Sequence, residues 1–394
     1  MPAPGGLSPA RRRRGAKLAI TGLRGREPLT AEDIAGFLAE HASPIVEGEH
    51  CTFLYRGDAD AVSIRHGIYG LPPSVPLRRL RGGDLWYAVI DLPSGSRMQY
   101  KLEVRRQGTT ELVDDPLNPR HSYSPLGSSS VCLADGYQTP SWAIADPEAR
   151  TGELVELTVP SRALRRDSRL TVYLPARFRR AARYPLLVVH DGADYLHYAS
   201  LQTVLDNLIH RLDMAEVIAA LTHPGERLRE YANDAAHSRF INTELPAAME
   251  DRFPLIGQPA ARCLMGSSFG AVAALAAAYR APGRHGALLL QSGSFAFTDI
   301  GSDHGGGPAF DPVVRFVNAF RERPRHVVSR VFMSCGVYEP LIYRNRSMVP
   351  VLQSTGMEVR YVESRDGHNW ESWRDRLRDG LSWIFPGAQK LVYE

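Results

Sequence analysis

The stretch Cys263-Leu264-Met265-Gly266-Ser267-Ser268-Phe269-Gly270-Ala271-Val272-Ala273-Ala274-Leu275 narrows the choice of folds more than any other in this 394-residue chain. A short buried-strand run ends in a G-x-S-x-G element, and an Ala-rich helical run begins directly after it. Small residues on both sides of a serine at a strand-to-helix junction permit a sharp turn that lifts the serine hydroxyl clear of the sheet. The pentapeptide alone is a weak signal; its placement between strand and helix gives it weight. It requires a sheet of buried strands with helices packed against it.

The second half of the chain supplies that frame. Residues 154–159 and 170–174 read as an opening antiparallel pair. Buried-strand runs at 186–189, 217–221, 263–265, 287–290, 331–333 and 359–362 then alternate with helical segments near 201–212, 240–253, 271–281, 312–321, 344–352 and 370–384. Alternation of this kind predicts a mostly parallel sheet with helices on both faces over 148–394, and with the serine elbow between strand and helix it is the pattern of an α/β-hydrolase catalytic domain. The front half has a different grammar. Short alternating or aromatic runs at 51–55, 61–64, 85–90 and 98–104, separated by Gly82-Gly83 and 93–96 with no helix between them, predict an all-β sandwich. A helix from Leu29 to Leu38, capped by Thr30 with Glu32 and Asp33 in its first turn, precedes it. Residues 114–147, punctuated by Pro116, Pro119, Pro125, 127–130 and Pro140, read as a connector. The expected organisation is a basic disordered tail over 1–28, the sandwich with its leading helix and connector over 29–147, and the hydrolase over 148–394.

Charge excludes some roles. The net charge is +4, and Arg11-Arg12-Arg13-Arg14 accounts for as much, so the body is close to neutral and a nucleic-acid surface is not its main business. No apolar run approaches the roughly 18–20 residues of a membrane span, and 18–22 is cut short by Arg24 and Arg26 before a secretory core develops. Cys51, Cys132, Cys263 and Cys335 are far apart with no CxxC pair, which suggests neither zinc site nor disulfide framework and fits a reducing cytoplasm.

A serine hydroxyl is a poor nucleophile until a base takes its proton. In an α/β-hydrolase that base lies on the loop after the last strand, where Asp366-Gly367-His368-Asn369 places His368. The acid is expected after the preceding strand, where Glu339 falls; Asp366 is its rival, and arrival of acid and base on separate loops favours Glu339. The oxyanion of acyl transfer needs two donors. The N–H of Phe269 is one, and the loop His190-Asp191-Gly192-Ala193 offers Ala193, with Gly192 as the alternative. Tyr195 and His197 stand where they could line the pocket. This chemistry calls for no metal and no organic cofactor.

Residues 153–387 resemble the enterochelin esterase and esterase D-like group of α/β-hydrolases. The likeness rests on Asp191-Gly192 with Tyr195, 201–208, Arg229-Glu230-Tyr231, Gly266 to Gly270, Gln291-Ser292-Gly293-Ser294-Phe295, Glu339 with Asn345-Arg346, and Gly367-His368-Asn369-Trp370 with Trp373-Arg374. Trp86-Tyr87, Tyr100-Lys101 and 115–119 are similar to the immunoglobulin-like front domain of the two-domain members. The resemblance implies Ser268 as nucleophile, His368 as base, and a small-molecule substrate, an ester of a catecholate siderophore whose iron is released inside the cell. The acid is not uniform across the family, so on this ground Glu339 and Asp366 both stay open. An anionic substrate implies a basic pocket, for which Arg229, Arg344 and Arg346 are the candidates. Ala271 stands where the family often has a second glycine. Esters linked to carbohydrate, such as feruloyl or acetyl esters, small intracellular esters, and a non-catalytic binding scaffold are the competing readings. Oligomeric state is not legible.

Overall fold

The computed structural model describes residues 18–298 and 307–388. The Arg11–Arg14 run lies outside them. The tail expected over 1–28 is ordered in its last third: Ala19–Arg24 is a helix whose Ile20 and Leu23 are buried. The sequence hid this because two apolar residues three apart in a basic stretch give almost no periodic signal. The second helix, Ala31–Glu40, has the expected Thr30 cap, completed into a capping box by Asp33.

Ten strands build the front sandwich: β1 (Ile45–Glu47), β2 (His50–Arg56), β3 (Ala61–His66), β4 (Ser74–Pro76), β5 (Arg78–Arg79), β6 (Leu85–Asp91), β7 (Arg97–Arg106), β8 (Thr109–Val113), β9 (His121–Ser124) and β10 (Gly127–Leu133). One sheet runs β1-β2-β6-β5; the other runs β4-β3-β7-β10-β9, with β8 also on β7. The period of two decides what each face meets. Phe53 and Tyr55 of β2 and Met98, Tyr100, Leu102 and Val104 of β7 fill the core between the sheets. Leu54 of β2 and Leu85 and Tyr87 of β6 face the other way, into a second core closed by the two leading helices through Ile20, Leu23 and Ile34. The connector expected over 114–147 carries two strands, β9 and β10. Its serines read as linker, but Ser130 in β10 is buried and accepts the N–H of Asp115, and Ser122 in β9 is buried too.

The second half forms an eight-stranded sheet from β11 (Glu153–Ser161), β12 (Arg166–Leu174), β13 (Leu186–Val189), β14 (Ile218–Thr222), β15 (Arg262–Ser267), β16 (Ala287–Gln291), β17 (Arg330–Gly336) and β18 (Glu358–Ser364). Its order is β11-β12-β14-β13-β15-β16-β17-β18. The β11–β12 and β12–β14 pairs are antiparallel, and every other pair is parallel. Alternate residues feed separate cores on the two faces: Leu186, Val188, Leu264, Leu288 and Leu290 on one, Leu187, Val189, Met265 and Leu289 on the other. The carboxyl ends of β13, β15, β16, β17 and β18 therefore open on one edge, where the elbow, acid and histidine loops gather. Among the described residues no helix is long and apolar enough to cross a membrane.

Candidate active site

The elbow is built by close approach of backbones. A Cβ on Gly266 would stand 2.4 Å from the carbonyl carbon of Gly270, so only glycine lets β15 turn directly into the helix Phe269–Arg280. Ser268 takes φ 55° and ψ −119°, a conformation that costs a non-glycine residue roughly 1–3 kcal/mol. It is half-buried, while its neighbours from Cys263 to Ala278 are otherwise buried. Its N–H donates to Gln291 O at 2.9 Å, and its carbonyl accepts the N–H of Ser294 at 3.1 Å, so the strain is held from β16.

His368 and Glu339 meet as an acid–base pair. The imidazole Nδ1–H donates to Glu339 Oε2 at 2.5 Å, which makes Nε2 the basic nitrogen of the neutral ring. Glu339 Oε1 accepts the Ser292 hydroxyl at 2.6 Å and the Gly336 N–H at 2.7 Å. Burial raises the Glu339 carboxyl, but the hydrogen bonds from His368, Ser292 and Gly336 outweigh it and hold the group below its ordinary value. Asp366 points elsewhere: it accepts Gly367 N–H at 2.7 Å and Asn369 Nδ2–H at 2.8 Å and faces Arg97 at 3.4 Å. Burial pushes it up to about 6 against those partners.

The end of β16 and the residues that follow it, Gln291-Ser292-Gly293-Ser294, underlie everything else, a role the sequence did not disclose. Ser292 accepts the indole N–H of Trp373 at 2.9 Å while donating to Glu339, and the Trp373 ring stands edge-on to His368 with centroids 5.1 Å apart. Ser294 Oγ lies 3.1 Å from Ser268 Oγ. Ser268 and the Glu339–His368 pair are thus tied to one four-residue stretch, the latter through Glu339 and Trp373. Asn345 pins that stretch, accepting Gly293 N–H at 3.0 Å and donating to Gly293 O at 2.9 Å.

The turn after β13 carries the other candidate donors. Gly192 opens the helix Gly192–Tyr198, and its N-cap Asp191 sits at φ 57° without capping through its side chain. The N–H groups of Gly192 and Ala193 therefore lie in the first turn, where a helix has no internal acceptors for them. A Cβ on Gly192 would stand 2.4 Å from Leu221 Cβ, so this loop needs glycine for packing. Asp191 is fixed by a fork from Arg227, Nε and Nη2 each 2.8 Å from one carboxylate oxygen. Nothing in the local sequence marked Arg227, 36 residues away, for this task.

Three candidates take other places. Tyr195 is not a lining residue: it is fully buried, donates to Gln291 Oε1 at 2.8 Å and packs edge-on against Trp370. It supports the site from below, because position i+3 from Gly192 on a helix turns back into the sheet. Arg229 forms an exposed pair with Glu226 at 3.3 Å, and Arg346 is forked onto Glu363 at 2.6 and 2.7 Å beside Tyr343. A cavity of about 230 Å³ reaches Glu339 and His368, and its far wall is Ile68, Met98 and Gln99 of the sandwich.

An eight-stranded sheet of this order with a strained serine on a glycine elbow defines an α/β-hydrolase. Residues 161–384 match the family described as "Putative esterase", and the chain belongs to that esterase family. It is 25% identical over 399 residues to the iron(III) enterobactin esterase of Dickeya dadantii, spanning 89% of this chain and 92% of that one. The enterochelin esterase of Shigella flexneri shares the fold, with a TM-score of 0.69 at 20% identity over 90% of this chain and 98% of that chain. A ferulic acid esterase aligns with 61% of this chain and 99% of its own at a TM-score of 0.53 and 20% identity.

Proposed function

We propose that this protein is a serine esterase that hydrolyses ester bonds of a catecholate siderophore through an acyl-enzyme on Ser268. The observation that carries the chemistry is the 2.5 Å contact of His368 Nδ1 with a buried Glu339, on the sheet edge where the strained Ser268 also stands. With Nδ1 committed to Glu339, Nε2 is the proton acceptor. Rotation of the Ser268 hydroxyl away from Ser294 gives it to His368 as it attacks the ester carbonyl. The tetrahedral oxyanion is received by the N–H of Phe269 and by Ala193 or Gly192. Collapse expels the alcohol, which takes the proton back from His368, and water repeats the sequence to free the acid. Glu339 stays ionised throughout and stabilises the imidazolium.

The substrate assignment is supported by likeness to the Dickeya dadantii enzyme along both halves of the chain, sandwich included. Iron then arrives as part of the substrate. The reading places the reaction in the cytoplasm, in keeping with four free, buried cysteines. The charge expected for an anionic ligand is partly spent in this arrangement, since Arg346 is forked onto Glu363. The test is turnover by purified protein of ferric and iron-free catecholate siderophores beside a feruloyl ester and a simple aryl acetate, with Ser268→Ala as control. Serine-dependent turnover of the siderophore far above the others is the expected result; preference for the feruloyl ester would transfer the assignment to aromatic carbohydrate esters.

A further inference from the structure

The histidine loop is held from outside the hydrolase half. His368 sits between Asp366 and Asn369, and β7 of the sandwich reaches both. The Arg97 N–H donates to Arg365 O at 2.9 Å. Its Nη1 donates to Asn369 Oδ1 at 3.0 Å and lies 3.4 Å from Asp366 Oδ1, and its Nη2 lies 3.1 Å from Glu371 Oε1. Ser122 of β9 donates to the second oxygen of Glu371 at 2.8 Å. The Arg97 side chain is only 4% exposed. Next to it, Ser96 Oγ lies 2.6 Å from Tyr338 OH, and the Tyr338 carbonyl accepts the Tyr69 N–H of the β3–β4 loop at 2.7 Å, so the loop of the acid is gripped by the sandwich too.

We propose that Arg97 is a positioning residue for the reaction, a guanidinium lent by the sandwich that sets the placement of the His368 imidazole against Glu339. The inference rests on the reading of His368 as base. An ion pair that merely glued two halves together would need one carboxylate. Here a planar fork spans three side chains, two residues before His368, one after it and three after it. Asn369 passes the constraint on, since the Oδ1 that accepts from Arg97 also accepts Ser372 N–H at 2.9 Å and caps the helix Trp370–Arg374. That helix carries Trp373, which meets the His368 ring. A hydrogen bond of 2.5 Å between His368 and Glu339 tolerates little displacement, and a misplacement of about 1 Å in such a constellation costs on the order of 100-fold in rate. The sandwich is on this account part of the catalytic apparatus.

The test uses the full chain carrying Arg97→Lys, which keeps the charge and removes the fork. Steady-state kinetics on an aryl acetate, normalised to sites titrated with a fluorophosphonate, are read beside thermal unfolding and the low-field proton NMR signal of the His368 Nδ1–H. The expected result is kcat lowered about 10- to 100-fold with KM within about twofold, and loss or broadening of that signal in a folded protein. Glu371→Ala removes one anchor of the fork from the other side, and should move kcat and the proton signal in the same direction by a smaller factor, even if Arg97→Lys does not fold. Unchanged kcat per titrated site in the folded variants, or a loss of kcat with the proton signal intact, overturns the proposal. His368→Ala, run alongside, separates the two readings: an active His368→Ala enzyme removes the base itself, whereas an inactive one beside a fully active Arg97→Lys enzyme removes only the role of Arg97.

Discussion

Replacing Glu339 by glutamine changes one oxygen for an amide nitrogen, and the neighbours decide which one. The Oε1 site faces the Gly336 N–H at 2.7 Å, a group that can only donate, so the amide nitrogen is excluded there. Ser292 reinforces the choice, because its hydroxyl already accepts from Trp373 and has its proton free to give. The carbonyl oxygen of the new side-chain amide must therefore occupy the Oε1 site, and its NH2 must face His368. The imidazole then presents Nδ1 as acceptor and carries its proton on Nε2, the wrong tautomer to take a proton from Ser268. A comparable tautomer error in a serine protease costs about 10⁴ in kcat, equivalent to roughly 5 kcal/mol of transition-state stabilisation. We expect Glu339→Gln to lower kcat on an aryl acetate about 10³- to 10⁴-fold with a near-normal melting temperature. Asp366→Asn should cost far less, since the Asp366 carboxylate is engaged by Gly367, Asn369 and Arg97 while Glu339 holds Nδ1. Retention of more than about a tenth of wild-type kcat in Glu339→Gln would refute the tautomer argument.

Other outcomes follow from the same geometry. Ser268→Gly removes the nucleophile and also the strain at φ 55°, so it should be inactive yet melt about 2–4 °C higher than wild type, a gain of about 1 kcal/mol. Gly266→Ala drives a Cβ into the Gly270 backbone and should destabilise by more than about 4 kcal/mol, read as insoluble protein or a collapsed unfolding midpoint. The two arginines near the Asp191 turn should behave oppositely. Arg227→Ala strands a buried Asp191 and should cost about 2 kcal/mol, discounted from the roughly 3–5 of a fully buried pair because Arg227 is itself about one-third exposed, with a fall in kcat. Arg229→Ala should leave both melting temperature and kcat unchanged, which denaturation scans and kinetics on the pair will check.

What the sequence disclosed and what it withheld divide along the range of the interactions. Strand and helix alternation from β11 onward, the Thr30 cap and the elbow are local, written in residues a few positions apart. The positions of Glu339 and His368 were legible because the order of loops along a parallel sheet constrains them. Tyr195 was misread because an aromatic near a catalytic loop looks the same whether it lines the pocket or props the floor; its 0% exposure depends on Gln291 and Trp370, far along the chain. Arg229 drew attention beside Glu230-Tyr231, yet it is Arg227, two residues earlier, whose side chain turns inward to Asp191. Arg97 gave no signal at all, since a lone arginine opening a strand is ordinary until the tertiary fold brings the histidine loop to it; Ser292 stood within a stretch that carried the resemblance, but its bond to Glu339, 47 residues away, was not legible there.

Activation of Ser268 by His368 is the step on which the proposed chemistry depends. Treating the native protein with a fluorophosphonate and mapping the adduct by mass spectrometry tests this directly, with folded His368→Ala protein in parallel. The account predicts a single stoichiometric adduct on Ser268 in the wild type and labelling slowed by orders of magnitude in the variant. An unlabelled Ser268, or equal labelling with and without the imidazole, would contradict it.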